Sequence, residues 1–309
     1  MTADLCAGGE SHASVAPVMA FKLALIQRHC AGFDAVAAAA YAATEAARAG
    51  AELIVLPELY HAPYFCQTTD PNELDRAEPL DGPSVRAMVE VARQAEVVIA
   101  VPFYEKRAVG LYHNSLVVIG PDGARLGLYR KMHIPHDPQF EEKFYFAEGD
   151  LGFRPVNTPI GRLGPLICWD QWFPEAARLQ ALAGAEVLLY PTAIGWLESE
   201  KAEVGLAQLD AWKTMQRSHA IANGVFVVAV NRTGVERVGD RSIEFWGHSF
   251  VCDPSGVVIA EAGEAEETLF VDIDLTRITE QRRWWPFLRD RRIDAYQGLL
   301  SRYIDDEDP

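Results

Sequence analysis

Gly164–Glu175 reads GPLICWDQWFPE, in which the apolar run Leu163–Cys168 meets a cysteine, a polar turn, and a helix opened by Pro174. A short apolar run that ends in a turn and a proline-started helix is the pattern of a buried strand feeding a helix. A cysteine at that junction is presented at the carboxyl end of its strand, where the backbone N–H groups around it can face a developing oxyanion. Free cysteines are more often plain core, so position alone leaves both readings of Cys168 open.

The flanking sequence continues the same alternation. Phe21–Gln27 reads as a buried strand, Phe33–Ala49 as an alanine-rich helix ending at Gly50, Glu52–Leu56 as a strand and Ser84–Ala95 as a helix. Val97–Tyr104 and Tyr112–Ile119 are strands, and Gly120-Pro121-Asp122-Gly123 turns into Ala124–Tyr129. A long loop, Lys131–Phe153, leads to Pro155–Thr158. Beyond the cysteine come the helix Pro174–Ala183, the strand Glu186–Tyr190 and the helix Leu206–Asn223. Val225–Val230, Trp246–Asp253, Gly256–Ala260 and Glu267–Ile273 complete the strands, followed by the helix Leu275–Arg282. No linker, repeat or low-complexity block interrupts residues 20–300, which read as one α/β domain with mixed sheets covered by helices. Residues 1–19 read as a disordered extension and 301–309 as an acidic tail. The last ~25 residues of the domain read as a packed or exchanged arm.

Composition narrows the class. With 49% hydrophobic residues in 309, a sizeable core is available. A net charge of −16 opposes a nucleic-acid or anionic-membrane partner, since both need basic surface. No apolar stretch approaches the ~18–20 residues of a membrane span, and the first twenty residues lack the basic start and apolar run of a secretory signal. A cytoplasmic protein is expected. The cysteines, at 6, 30, 66, 168 and 252, are odd in number and widely spaced, with no Cys-x-x-Cys pair. That suggests neither a disulfide framework nor a zinc site. His113, His133, His219 and His248 show no ligand spacing, so no metal is expected.

Two further motifs lie at strand ends. In LPELY, Leu56–Tyr60, Glu58 follows a strand; in YRKMHIP, Tyr129–Pro135, Lys131 follows another. Taken singly, each is an ordinary surface residue. A glutamate, a lysine and a cysteine at three strand ends supply a general base, an oxyanion stabiliser and a nucleophile. With these three motifs in this order, and with the spacing from Lys131 to Cys168, the chain resembles the nitrilase superfamily over about residues 20–300. The resemblance implies a four-layer αββα sandwich of two mixed sheets flanked by helices, and a homodimer or higher homo-oligomer.

Within that superfamily the chain is most similar to the N-carbamoylputrescine amidohydrolases. The matching stretches are EKFYF at 142–146 followed by Gly149-Asp150, CWDQW at 168–172, PTAIGW at 191–196, QRSHAIAN at 216–223 and DRR at 290–292. The resemblance places Glu142 as a second active-site glutamate that positions substrate and supports the lysine. It implies that Glu58 deprotonates Cys168, that Lys131 and the N–H of Trp169 hold the oxyanion, and that no metal or organic cofactor takes part. Lys131 is also expected to favour the thiolate. The expected substrate is a small ureido or amide compound with a cationic end, first of all N-carbamoylputrescine. Trp169, Trp196 and Tyr64 are candidate pocket walls, alongside Trp172 and Phe140. Asp137, Glu198 and Glu200 are candidate acids for a distal ammonium. One departure bears on that end: related sequences read His-Ile-Pro-Asp where this chain has His133-Ile134-Pro135-His136-Asp137. The alternatives are another N-carbamoyl amino compound, an aliphatic ω-amide, or a catalytically silent binding protein on the same fold. Arg282-Arg283-Trp284-Trp285 reads as a subunit contact or cation–π pair rather than a nucleic-acid patch.

Overall fold

The computed structural model describes residues 20–32 and 34–304. The proposed N-terminal extension and the acidic run Asp305–Asp308 lie outside the described residues.

Two six-stranded sheets form the centre. The first is built from β1 (Ala20–Gln27), β2 (Leu53–Val55), β3 (Val98–Ala108), β4 (Leu111–Ile119), β5 (Arg125–Arg130) and β15 (Glu267–Asp274), in the order β15-β1-β2-β3-β4-β5. The second holds β6 (Val156–Thr158), β7 (Gly161–Pro165), β8 (Val187–Pro191), β10 (Phe226–Val230), β13 (Phe250–Cys252) and β14 (Val258–Glu261), in the order β14-β13-β10-β8-β7-β6. Each has a parallel centre, β1-β2-β3 and β7-β8-β10, with antiparallel strands on either side. Parallel strands buried on both faces read as continuous apolar runs, as LALI in β1 and VLLY in β8 do.

Alternation along β1 shows the layering. Leu23 and Leu25 join the core between the two sheets, together with Leu53, Val55, Leu163 and Leu189. Ala24 and Ile26 face the other way, toward α1 (Ala35–Arg48) and α2 (Pro83–Ala95). In α1 the buried positions Ala39, Ala43 and Ala46 are all small, and Asp34 Oδ1 caps the helix by accepting the N–H of Ala37 at 2.9 Å. On the outer face of the second sheet lie α4 (Pro174–Leu182) and α5 (Glu198–Asn223), which contribute Ala177, Ala181, Trp212 and Ala220. The layers are therefore αββα, as expected. A single turn, α3 (Glu142–Tyr145), interrupts the long loop after β5, and α6 (Thr276–Trp284) precedes the C-terminal arm.

A third sheet was not anticipated: β9 (Gly195–Leu197), β11 (Thr233–Val238) and β12 (Arg241–Trp246), in the order β11-β12-β9. It packs against the loop after β2 through Ile243 and Phe245, which contact the buried group around Tyr64 and Phe65. Two boundaries also differ. The strand expected over Leu163–Cys168 ends at Pro165, and α5 begins eight residues before Leu206.

Candidate active site

Glu58, Lys131 and Cys168 lie just past the carboxyl ends of β2, β5 and β7, and all three are buried. Lys131 stands between two carboxylates. Its Nζ donates to Glu58 Oε1 at 2.8 Å and to Glu142 Oε2 at 2.6 Å. Asn114 Nδ2 donates to the same Glu58 oxygen at 2.7 Å, while Glu58 Oε2 has no hydrogen-bond partner among the described residues. One carboxylate oxygen is thus anchored and the other is free to accept a proton. Glu142 is anchored through both oxygens, since Oε1 accepts the Tyr64 hydroxyl at 2.8 Å.

Burial works against the Lys131 ammonium, but Glu142 and Glu58 outweigh it and hold the group well above the usual lysine range. Burial pushes the Glu142 carboxyl up to about 7, with Lys131 opposing and Glu58 adding to the rise. Burial, then the charge of Glu58, raises the Cys168 thiol well above the ordinary cysteine range. Lys131 lowers it, as the sequence suggested, without overcoming burial and the Glu58 charge. The resting nucleophile is therefore a thiol, and an attack by sulfur needs a base that acts with it.

Local structure explains the placement. Lys131 N–H bonds to the Asn114 carbonyl and the Lys131 carbonyl accepts Gly149 N–H, each at 2.8 Å. A Cβ on Gly149 would clash with the Arg130 carbonyl oxygen, so only glycine permits that approach. Asp150 then pairs with Arg130 at 2.8 Å and with Arg107, and Arg130 is held by Glu105 at 2.6 Å.

Cys168 opens a 3-10 turn, Cys168–Trp172, with φ at 42°, a left-handed conformation that non-glycine residues adopt only under local constraint. Its neighbours supply that constraint. Asp170 accepts four bonds: from Ile167 N–H at 2.9 Å, Tyr129 Oη at 2.7 Å, and the N–H and Nδ1 of His133 at 3.1 and 2.7 Å. Gln171 Oε1 accepts Trp212 Nε1 at 2.7 Å and Gln216 Nε2 at 3.0 Å, and His219 Nε2 lies 2.7 Å from its carbonyl. The QRSHAIAN stretch of α5 thus braces the nucleophile turn. Sequence reasoning matched the segments that hold Asp170, Gln171, Gln216 and His219 but gave these residues no task, and it gave none to Asn114; nothing in their spacing announces one.

A cavity of about 520 Å³ reaches Cys168 and Glu142. Trp169, Trp172, Phe140, Ala193, Ile194, Leu197 and Trp246 wall it, with Asp137 and Glu200 among the lining residues. The last two are exposed and so belong to the mouth, whereas Cys168 and Glu142 are buried at the floor. Two expected wall residues are placed elsewhere. Tyr64 is fully buried behind Glu142, which takes its hydroxyl. Trp196 turns its indole toward α5, donating from Nε1 to the Gly205 carbonyl at 2.9 Å, and Trp246 occupies the wall in its stead. Glu198 does not line the cavity; Glu200, which accepts Gln208 Nε2 at 3.2 Å, does. His136 is exposed, 3.4 Å from Glu141, in an adjoining depression shared with Arg241.

Known proteins share this fold. The family model described as carbon-nitrogen hydrolase matches residues 25–283. An N-carbamoylputrescine amidase from Solanum tuberosum is 46% identical over 258 residues, 82% of this chain and 85% of that one. A citrullinase from Francisella tularensis is 39% identical, over 84% and 90% of the two chains. The crystal structure of a carbon-nitrogen hydrolase from Helicobacter pylori G27 superposes with a TM-score of 0.89 at 46% identity, covering 92% of this chain and all of that one.

Proposed function

Because the chain belongs to the carbon-nitrogen hydrolase family, we propose that it hydrolyses N-carbamoylputrescine to putrescine, carbon dioxide and ammonia, with Cys168 as nucleophile. It is an amidohydrolase acting on a small amide or ureido compound.

The reaction runs as follows in this site. Glu58 takes the thiol proton through its free oxygen as the sulfur attacks the ureido carbon. Lys131, with the backbone N–H of Trp169, stabilises the oxyanion of the tetrahedral intermediate. Glu58 returns the proton to the departing nitrogen, the C–N bond breaks, and ammonia leaves. An S-carbamoyl thioester remains on Cys168, its distal nitrogen still carrying the four-carbon chain. Glu58 then takes a proton from water, which attacks the same carbon. The C–S bond breaks, the thiol is restored, and the released carbamate loses carbon dioxide to give the free amine. Glu142 holds Lys131 in place and orients the substrate.

The observation that carries the substrate assignment is the cavity's gradient, from the buried nucleophile through an apolar and aromatic passage to two exposed acids, Asp137 and Glu200. Such walls suit a methylene chain, and the acids favour an ammonium at its end. With His136 in the position where related sequences carry an acid, Asp137 and Glu200 are the residues left for that task. The citrullinase relative points to a second ureido substrate, one with a carboxylate beside its ammonium. Arg241 stands near the mouth, but Glu141 lies 3.9 Å from it and offsets its charge. A cationic end is therefore preferred. Ammonia release should be compared across N-carbamoylputrescine, citrulline, N-carbamoyl-β-alanine, a neutral ω-amide and a nitrile. The highest kcat/KM on N-carbamoylputrescine is expected, and a win for an anionic or neutral compound refutes the substrate assignment alone.

Two further properties complete the proposal. The working form is at least a two-fold dimer in which the C-terminal arm lies across its partner. The proposed compartment is the cytoplasm.

A further inference from the structure

We propose that Arg232 and Glu236 are positioning residues for the reaction, fixing the two carboxylates that flank Lys131. The proposal rests on the assignment of Glu58, Lys131 and Cys168 to the chemistry.

Arg232 follows β10 and Glu236 lies in β11, and both side chains are buried. The guanidinium spends all its donors on two targets. Nε bonds to the Glu58 carbonyl at 2.9 Å, and Nη2 bonds to the carbonyls of Leu59 and, at 3.1 Å, Ala62. Nη1 bonds to the two Glu236 oxygens at 2.9 and 3.2 Å. Glu236 Oε2 in turn accepts the N–H of Tyr64 at 2.6 Å, and the hydroxyl of Tyr64 reaches Glu142. One ion pair thus grips the backbone beneath Glu58 and, through Tyr64, extends to Glu142.

The purpose of this arrangement lies in the loop it grips. Leu59 has φ at 49°, a left-handed conformation for a branched residue, which persists only where surrounding contacts dictate it. Arg232 supplies those contacts, binding the carbonyl of Leu59 and that of the residue before it. The turn so fixed aims the Glu58 carboxylate at Lys131. A buried ion pair is a poor source of stability compared with apolar packing of the same volume, whereas a planar fork with five donors sets several carbonyls at once. Lysine has the charge without the fork. Its substitution for Arg232 would leave buried carbonyls unpaired and release the loop.

The test compares Arg232→Lys, Arg232→Met and Tyr64→Phe with the unaltered full chain. It reads kcat and KM by ammonia release from the best substrate across the active pH range, and thermal unfolding for each protein. Folded Arg232→Lys should lose ~10²-fold in kcat with KM changed less than ~3-fold, and Arg232→Met should lose more. Tyr64→Phe removes one hydroxyl that favours the ionised Glu142. It should lose ~10-fold in kcat, and the acid limb of its pH profile should move upward. A folded Arg232→Lys with wild-type kcat and pH profile overturns the proposal. If neither Arg232 variant folds, Tyr64→Phe with wild-type kcat and pH profile overturns it. Cys168→Ala separates the two levels of the argument. Turnover by that variant sinks the underlying assignment, whereas an inactive Cys168→Ala beside a normal Arg232→Lys sinks only the positioning role.

Discussion

Asp170 accepts both the backbone N–H and the Nδ1 of His133, at 3.1 and 2.7 Å, and thereby ties the turn that carries Cys168 to the loop that carries Lys131. The imidazole stacks on Phe173 with ring centres 3.8 Å apart, which fixes its orientation. A single buried carboxylate therefore joins the turn of the nucleophile to the segment that follows the ammonium.

Asp170→Asn should break this junction, because an amide presents a donor where the carboxylate accepts four bonds. The expected loss is ~2–4 kcal/mol of stability, seen as a fall in Tm of ~5–10 °C, with kcat reduced by ~10² or more. Calorimetry and ammonia release check both figures; a variant with unchanged Tm and kcat contradicts the role.

Lys131→Met and Glu58→Gln address the charges at the site. Each should lower kcat by ~10²–10³ while preserving the fold, the first by removing an oxyanion partner and the second by removing the base. Steady-state kinetics with circular dichroism as a folding control will decide. Near-wild-type kcat in either variant would make that residue structural.

The acid limb of activity should fall near the Glu142 value of about 7. Glu142 accepts Lys131 on one oxygen and Tyr64 on the other, so a proton on either oxygen collides with a donor. Stability runs the other way. Folding raises this carboxyl from 4.5 to about 7, so the protonated form favours the folded state. The resulting stability is full below about 4.5 and is lost as pH rises through about 7. In Glu142→Gln both dependences should flatten over this window, in kcat profiles and in thermal unfolding at a series of pH values. An unchanged acid limb in that variant would assign it to another group.

The C-terminal segment should be covered in solution. Trp284 is 83% and Leu300 93% exposed in the isolated chain, and Trp285, Phe287 and Ile293 are exposed as well. That much apolar surface in an acidic protein calls for a partner. Sedimentation at micromolar concentration should show a dimer or larger species, and Trp284→Glu with Trp285→Glu should shift it toward monomer. A stable, active monomer of the unaltered chain contradicts this.

The central strands were legible in the sequence because they are buried on both faces and read as short continuous runs such as LIVL and VLLY, bounded by turn residues; the αββα layering came with the family resemblance. Glu58 and Cys168 follow such runs, whereas Lys131 follows the more polar edge strand RLGLYR, and the three were legible only as motifs taken together. The hairpin β11–β12 was not. Glu236, Arg237, Arg241 and Glu244 give it the polarity of a loop, and the burial of Glu236 depends on Arg232, a pairing invisible until the chain is folded. The early start of α5 was hidden for the opposite reason. Its first turns face solvent, so Glu198–Glu203 carry no apolar stripe, and even Leu206 is 84% exposed. Trp246 was read as the start of a strand that in fact begins at Phe250, since Gly247 and His248, at φ 64° and 51°, turn the chain between two sheets. Trp196 and Tyr64 look like pocket walls from sequence because aromatic residues near a motif are alike there, whether they face a substrate or brace a carboxylate.

The central claim is that the reaction passes through a covalent bond to the Cys168 sulfur, and acid-quenched mass spectrometry during turnover tests it most directly. Under saturating N-carbamoylputrescine the intact protein should gain the mass of the substrate less ammonia. Peptide mapping should place that adduct on Cys168, and Cys168→Ala should show neither adduct nor ammonia release. An adduct on another residue, or sustained turnover by Cys168→Ala, would contradict the account.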